Sequence, residues 1–316
     1  TSTLLINSLS SHPKLWLIYL VAGLFAAVDG VQRPSSDAIL PRLVGHTDLP
    51  AASALMSIRW QTGLIIGPSI GGFIIASYSV SSGFALDAVS YLISLIFLAR
   101  VKNVPPREKG EKPAIFALFE GVKYAFSRKD LLGTYIIDLA AMFFAMPNAL
   151  FPFWADQLNS KWALGLFYAS FAIGSLAISL TSGWISRYRF HGKAVIFAAA
   201  GWGIAVAISG LSNSVWVVLG FLILAGSFDQ ISALFRSAIW NQTIPDELRG
   251  RLAGIQLLSY SVGPLMGQFR AATVASATTL RFSVTSGGIS CLIFVLLLAG
   301  FLPTFRKYDV ETNEFA

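Results

Sequence analysis

Charge is what this chain has least of: Asp, Glu, Lys and Arg make up 12% of its 316 residues, about half the share found in ordinary soluble domains. So few ionised side chains argue against a water-facing globule. Cysteine is nearly absent as well, and the single Cys291 leaves no intramolecular disulfide to form. Histidine occurs only at His12, His46 and His191, too dispersed to make a zinc-type ligand pair. No Gly-x-x-x-x-Gly-Lys-Ser/Thr phosphate loop occurs, so nucleotide-driven work within this chain is not expected. No nucleophile is matched with a base, and the chain reads as a non-enzyme with no cofactor and no metal.

What is abundant is apolar. Hydrophobic residues make up 55% of the chain, with a mean hydropathy of +0.66. They gather into nine stretches near 15–40, 51–77, 83–103, 130–156, 162–186, 193–211, 215–241, 250–276 and 281–303. Each is long enough to cross about 30 Å of hydrocarbon at about 1.5 Å per residue. The fold class expected is an all-α membrane protein whose main solvent is the lipid bilayer. Basic residues cluster in alternate loops: Arg42, then Arg100 through Lys129, then Arg187, Arg189 and Lys193, then Arg249 and Arg251, then Arg306 and Lys307. The opposite loops hold Lys14, Lys161 and Arg281. Loops rich in Lys and Arg stay cytoplasmic, which predicts a multi-pass protein of the bacterial cytoplasmic membrane with its C-terminus inside. The net charge of +7 follows from that topology. No soluble basic face remains for a nucleic acid.

An internal repeat gives the domain plan. The segment from Asp29 to Val44, followed by Gly67-Pro68, returns as Asp229 to Ile244, followed by Gly263-Pro264. Same-direction copies predict two parallel-repeat six-helix bundles related by an axis along the membrane normal. Residues 1–103 then form an incomplete N-terminal bundle and 130–303 a C-terminal six-helix bundle. Between them, 104–129 is a cytoplasmic linker, and 304–316 is a cytoplasmic tail. In the linker, Ile115, Leu118, Phe119, Val122 and Phe126 fall on one helical face, as in a helix lying on the membrane surface. The repeat offset puts the start of the first bundle about 70 residues before Thr1, so the sequence is expected to be N-terminally truncated.

Within the stretch 51–77, Gly63, Gly67, Pro68, Gly71 and Gly72 crowd ten residues of a membrane helix. In water each interior Gly would cost about 1 kcal/mol and Pro about 3. In lipid, small residues instead let helices approach closely. These five positions fill every fixed place of Gly-x-x-x-Gly-Pro-x-x-Gly-Gly, the antiporter motif of the major facilitator superfamily, which the whole chain resembles. The segments DAILPRLV, FALDAVSYLIS and IPDELRGRLAG are further similar to the branch holding the enterobactin exporter and macrolide-type drug:proton antiporters. The resemblance implies twelve helices, alternating access and proton-coupled export. One departure stands out: in GWISRYRFHGK, the second-half echo of the family's loop motif, Arg187 occupies the acidic position.

Ionisable residues inside spans are expensive in lipid and point to cavities or partners. Asp138, followed by Pro147 and Pro152, is the candidate for proton coupling, with a structural Arg partner as the alternative. Asp29, Arg33, Asp37 and Arg59, together with Asp229 and Arg236, form a candidate cavity charge network. Arg270 and Asp87 lie near outer helix ends, where a structural role and, for Arg270, snorkelling suffice. Phe143, Phe144, Phe151, Phe153 and Trp154 are candidates to line a cavity, and Trp154, Trp162 and Trp216 to anchor at the interfaces. The expected function is proton-coupled efflux of a small amphiphilic molecule, drug-like or siderophore-like, by a monomer. The alternative is a non-transporting membrane scaffold or sensor of the same fold.

Overall fold

In hydrocarbon an open strand edge leaves backbone groups unsatisfied, so apolar runs of this length fold as helices. The computed structural model describes residues 1–10, 12–43, 78–100, 127–244 and 246–309, with Tyr124 and scattered residues between 55 and 77; for 29–31, 33–43, 186 and 246–261 it describes the backbone alone. Every described element is helical: α1 (Ser2–Leu9), α2 (Leu15–Leu43), α3 (Val80–Leu98), α4 (Lys129–Ala145), α5 (Phe151–Gln157), α6 (Leu164–Leu180), α7 (His191–Leu211), α8 (Val215–Thr243), α9 (Asp246–Ala277), α10 (Leu280–Phe301) and α11 (Pro303–Arg306). Described residues between 55 and 77 are helical too. Six helices among the described residues are long and apolar enough to cross a membrane: α3, α4 with α5, α6 with the turn before it, α7, α8 and α10.

The chain divides into two units, Thr1–Gly110 and Glu111–Ala316. In the first, α1 packs on α2 and α3, Ser81 Oγ donates to the Ser8 carbonyl at 3.3 Å, and Phe25 meets Tyr91 edge-on at 6.0 Å. Ser79 caps α3 by accepting from the Ser82 N–H at 3.1 Å, the side-chain oxygen standing in for the missing carbonyl of a preceding turn.

In the second unit α7 lies innermost, with 61% of its span buried, and packs on α8, α10 and α4. Two crossings depend on glycine. Where α6 meets α8, a Cβ on Gly174 would strike the backbone of Ile223, and one on Gly226 the backbone of Phe171. The contact is fastened reciprocally: Ser175 Oγ donates to the Gly226 carbonyl at 3.1 Å and Ser227 Oγ to the Gly174 carbonyl at 3.3 Å. Where α7 meets α10, Gly203 and Gly288 each face the other's carbonyl.

The stretch 130–156, expected as one bending span, is interrupted in the structure. α4 stops at Ala145, Met146 is extended (φ −100°, ψ 100°), a 3₁₀ turn covers Asn148–Leu150, and α5 restarts at Phe151. A residue before proline is pushed out of the helical region, and Pro147 has no N–H to continue the ladder. Pro152 sits in the first turn of α5, where a missing donor costs little. Pro264, by contrast, stays inside a continuous α9.

Two aromatic expectations change. Phe151 and Trp154 do not line an open cavity: they are 0% and 1% exposed and pack with Phe167 at 5.8 and 6.1 Å between ring centroids. Trp154 is therefore a core residue rather than an interface anchor, because the break at Pro147 turns α5 back onto α6. Trp162 and Trp216 remain exposed, their rings 5.5 Å apart.

Candidate functional site

One face of α8 carries Asp229, Ser232, Arg236, Trp240 and Thr243, residues that recur about every 3.6 positions and so point the same way. α4 presents Thr134, Tyr135 and Asp138 towards α8 at matching spacing. The junction is polar at its centre. Arg236, 1% exposed, places Nη1 2.5 Å from Asp138 Oδ1, whose side chain is 4% exposed. Arg236 Nε also donates to the Ser232 carbonyl at 3.4 Å, and the guanidinium stands 6.0 Å from the Trp240 ring. Trp240 Nε1 donates to Thr134 Oγ1 at 2.8 Å, and the indole stacks on Tyr135 at 5.4 Å. Tyr124 closes this end by donating to the Thr243 carbonyl at 2.9 Å.

Asp229 lies within electrostatic reach of both members of the pair. It shares with Asp138, Ser232 and Trp202 a cavity of about 10 Å³, room for about one water. Trp202 Nε1 is buried without a hydrogen-bond partner and lines the same cavity. Two carboxylates against one guanidinium leave the fully ionised cluster one negative charge in excess. A single proton therefore neutralises it, and a buried cluster gains strongly from neutrality because its charges have been taken out of water. Chemically the site can bind and release a proton; among the described residues it holds no group of metal ligands.

Asp229 and Arg236 share one face of α8, as their spacing suggests, and Asp138 has the Arg partner expected as the structural alternative for it. Arg236 takes its ion pair from the facing helix, because Asp138 reaches it across the α4–α8 contact. The other network candidates belong to the first unit. Asp29, Arg33 and Asp37 lie on α2, with side chains outside the described residues, and Arg59 is exposed on a helical residue. Of the glycine motif, Gly63, Gly67, Gly71 and Gly72 are helical and Pro68 is outside the described residues. Among the described residues, a Cβ on Gly63, Gly67 or Gly71 would meet nothing within 4 Å.

Sequence reasoning missed two features and misread a third. The glycine crossings of α6–α8 and α7–α10 were signalled only by isolated small residues, Gly174-Ser175 and Gly226-Ser227 among them. Trp202 carried no signal beyond an indole in an apolar run. Arg270 does not snorkel outward: its Nε is buried without a partner, Nη2 reaches the Ser283 carbonyl at 3.5 Å, and Gly287 leaves room for the guanidinium.

Comparison with known proteins follows from this geometry. The chain is 26% identical over 311 residues, 96% of its length, to proteins named enterobactin exporter EntS from Shigella boydii serotype 18 and Escherichia coli O81, and covers 74% of each. The same identity and coverage hold for the protein of that name from Escherichia fergusonii. The model of the Major Facilitator Superfamily matches residues 1–191. With its all-helical architecture and apolar spans, this chain is a multi-pass membrane protein that belongs to the major facilitator superfamily of transporters.

Proposed function

We propose that the chain is a proton-coupled exporter of a small amphiphilic molecule, drug-like or siderophore-like. It would work as a monomer in a bacterial cytoplasmic membrane, its C-terminus inside, by rocking two parallel-repeat bundles about a central site. The observation that carries the coupling is the buried Asp138–Arg236 pair with Asp229 beside it. When a proton is taken up, one carboxylate becomes neutral and the guanidinium is held by the other. When it leaves, the excess negative charge returns inside a low-dielectric junction. Two protonation states thus favour two arrangements of α4 against α8, which is what a ligand-driven population shift requires. Likeness to enterobactin exporters supports outward transport and a siderophore-like cargo, and the filled antiporter motif agrees in direction. In this reading Asp29, Arg33, Asp37 and Arg59 are charge-network candidates of the first unit, and the motif glycines form a smooth helix face along which helices slide.

The test is transport in proteoliposomes under an imposed pH gradient, with enterobactin and a cationic dye as trial cargo. Wild type is expected to move cargo faster with the gradient. Asp138→Asn and Asp229→Asn should each lose the gradient effect, with folding verified by an unchanged elution profile. Full gradient dependence in both variants would reject the cluster as the coupling site.

A further inference from the structure

The loop joining α6 to α7 builds a second polar site, distinct from the Asp138–Arg236 cluster. Its cavity, of about 610 Å³, is lined by Ser182, Arg187, Arg189, His191 and Gln242 among others. Arg189 is committed to Asp309, bridging both carboxylate oxygens at 2.6 and 2.7 Å. Arg187 is exposed and has no hydrogen-bonding or ionic partner among the described residues. His191 is 5% exposed, held between Phe235 and Tyr308 with ring centroids at 5.1 and 6.4 Å, yet its Nδ1 has no hydrogen-bond partner. His191 also opens α7, a helix of 21 residues with no side-chain cap. The first-turn N–H groups of such a helix have no intrahelical acceptor, and the helix dipole places partial positive charge there.

A guanidinium without a described partner and a buried imidazole nitrogen meet at one cavity beside the start of α7. The guanidinium favours a compact oxyanion, whose oxygens accept its N–H groups, and the imidazole adds a donor there in the tautomer that carries its proton on Nδ1. We propose that this cavity seats a phosphate-bearing anion, and that its occupant is the headgroup of an anionic phospholipid. The loop joins two membrane-spanning helices and so lies at the bilayer surface. Trp184 and Tyr188 around it are 43% and 41% exposed, as amphipathic rings are at headgroup depth, and the Phe190 ring is 37% exposed beside them. Free phosphate offers the same chemistry without the acyl chains those rings would meet.

The experiment is native mass spectrometry and thermal unfolding of the whole chain in a neutral detergent. The added probes are phosphatidylglycerol, phosphatidylcholine or inorganic phosphate, tested on wild type, Arg187→Gln and Lys161→Gln. Wild type should bind phosphatidylglycerol about tenfold more tightly than phosphatidylcholine, and Arg187→Gln should lose about that factor, the worth of one charge-assisted hydrogen bond. Lys161, which pairs with Asp156 at 3.1 Å on another loop, controls for bulk charge, and its variant should keep the preference. Protection by inorganic phosphate equal to that by the lipid, and lost in Arg187→Gln, would uphold the anion seat and reassign its occupant. No lipid preference in wild type, or an equal loss in Lys161→Gln, would overturn the proposal.

Discussion

Arg236 and Asp138 are each costly alone and tolerable together. The Coulomb attraction of an ion pair offsets desolvation only while both partners are present, and removing one from a buried pair costs about 3–5 kcal/mol. Arg236→Gln leaves two carboxylates, Asp138 and Asp229, beside one cavity with no cation. It is expected to lose stability on that scale in chemical unfolding of the detergent-solubilised protein. The double variant Asp138→Asn/Arg236→Gln should recover part of the loss, since it removes one of the two stranded carboxylates. Additive losses in the double-mutant cycle would mean that the two side chains do not interact. The sequence marks both residues, because a charge in an apolar run is conspicuous. It does not mark their pairing, which depends on how α4 lies against α8. Trp202 was invisible for the opposite reason: an indole in an apolar run announces nothing until its N–H is found without an acceptor.

Helix positions were legible because hydrocarbon leaves an apolar run little choice: the segment 193–211 corresponds to α7 and 215–241 to α8 within two residues at each end. Helix contacts were less so. The glycines singled out from the sequence, Gly63 to Gly72, meet no described neighbour where tested, whereas Gly174 and Gly226, which drew no attention, set the closest approach between α6 and α8. A motif reports spacing along one helix, but a crossing needs small residues from two helices at one height. Gly226→Leu should force α6 and α8 apart and break both serine–carbonyl bonds. An overpacked contact costs about 1–3 kcal/mol, and more is expected here because the obstacle is backbone, which cannot rotate away. Gly220, with nothing near its Cβ position, is the control: Gly220→Leu should leave the monodisperse fraction in size-exclusion chromatography unchanged while Gly226→Leu lowers it. Equal behaviour of the two would show that the crossing tolerates bulk.

For the whole molecule, the reading as an exporter depends on which side of the membrane each loop faces, and the chain is well suited to deciding it. The single cysteine of this sequence, Cys291, is fully buried with its thiol 3.8 Å from the Ala199 carbonyl, so these 316 residues offer a thiol reagent almost nothing. A cysteine added elsewhere then reports on its own site. Ser127 and Asn213 are both exposed, the first just before α4 and the second between α7 and α8. Counting spans from a cytoplasmic start of α4, the α4–α5 segment runs outward, α6 inward and α7 outward, which leaves Asn213 outside and Ser127 inside. A membrane-impermeant maleimide applied to intact cells should therefore label Asn213→Cys and not Ser127→Cys, while opened cells should expose both. Basic residues crowd the inner loops in this arrangement, as the charge bias of short loops requires, and the cavity beside Arg187 falls on the side where anionic headgroups attract positive charge. The reverse labelling pattern would invert every direction assigned to transport. It would also move Arg187, Arg189 and Lys193 to the outer face, contrary to the charge rule on which the topology was built.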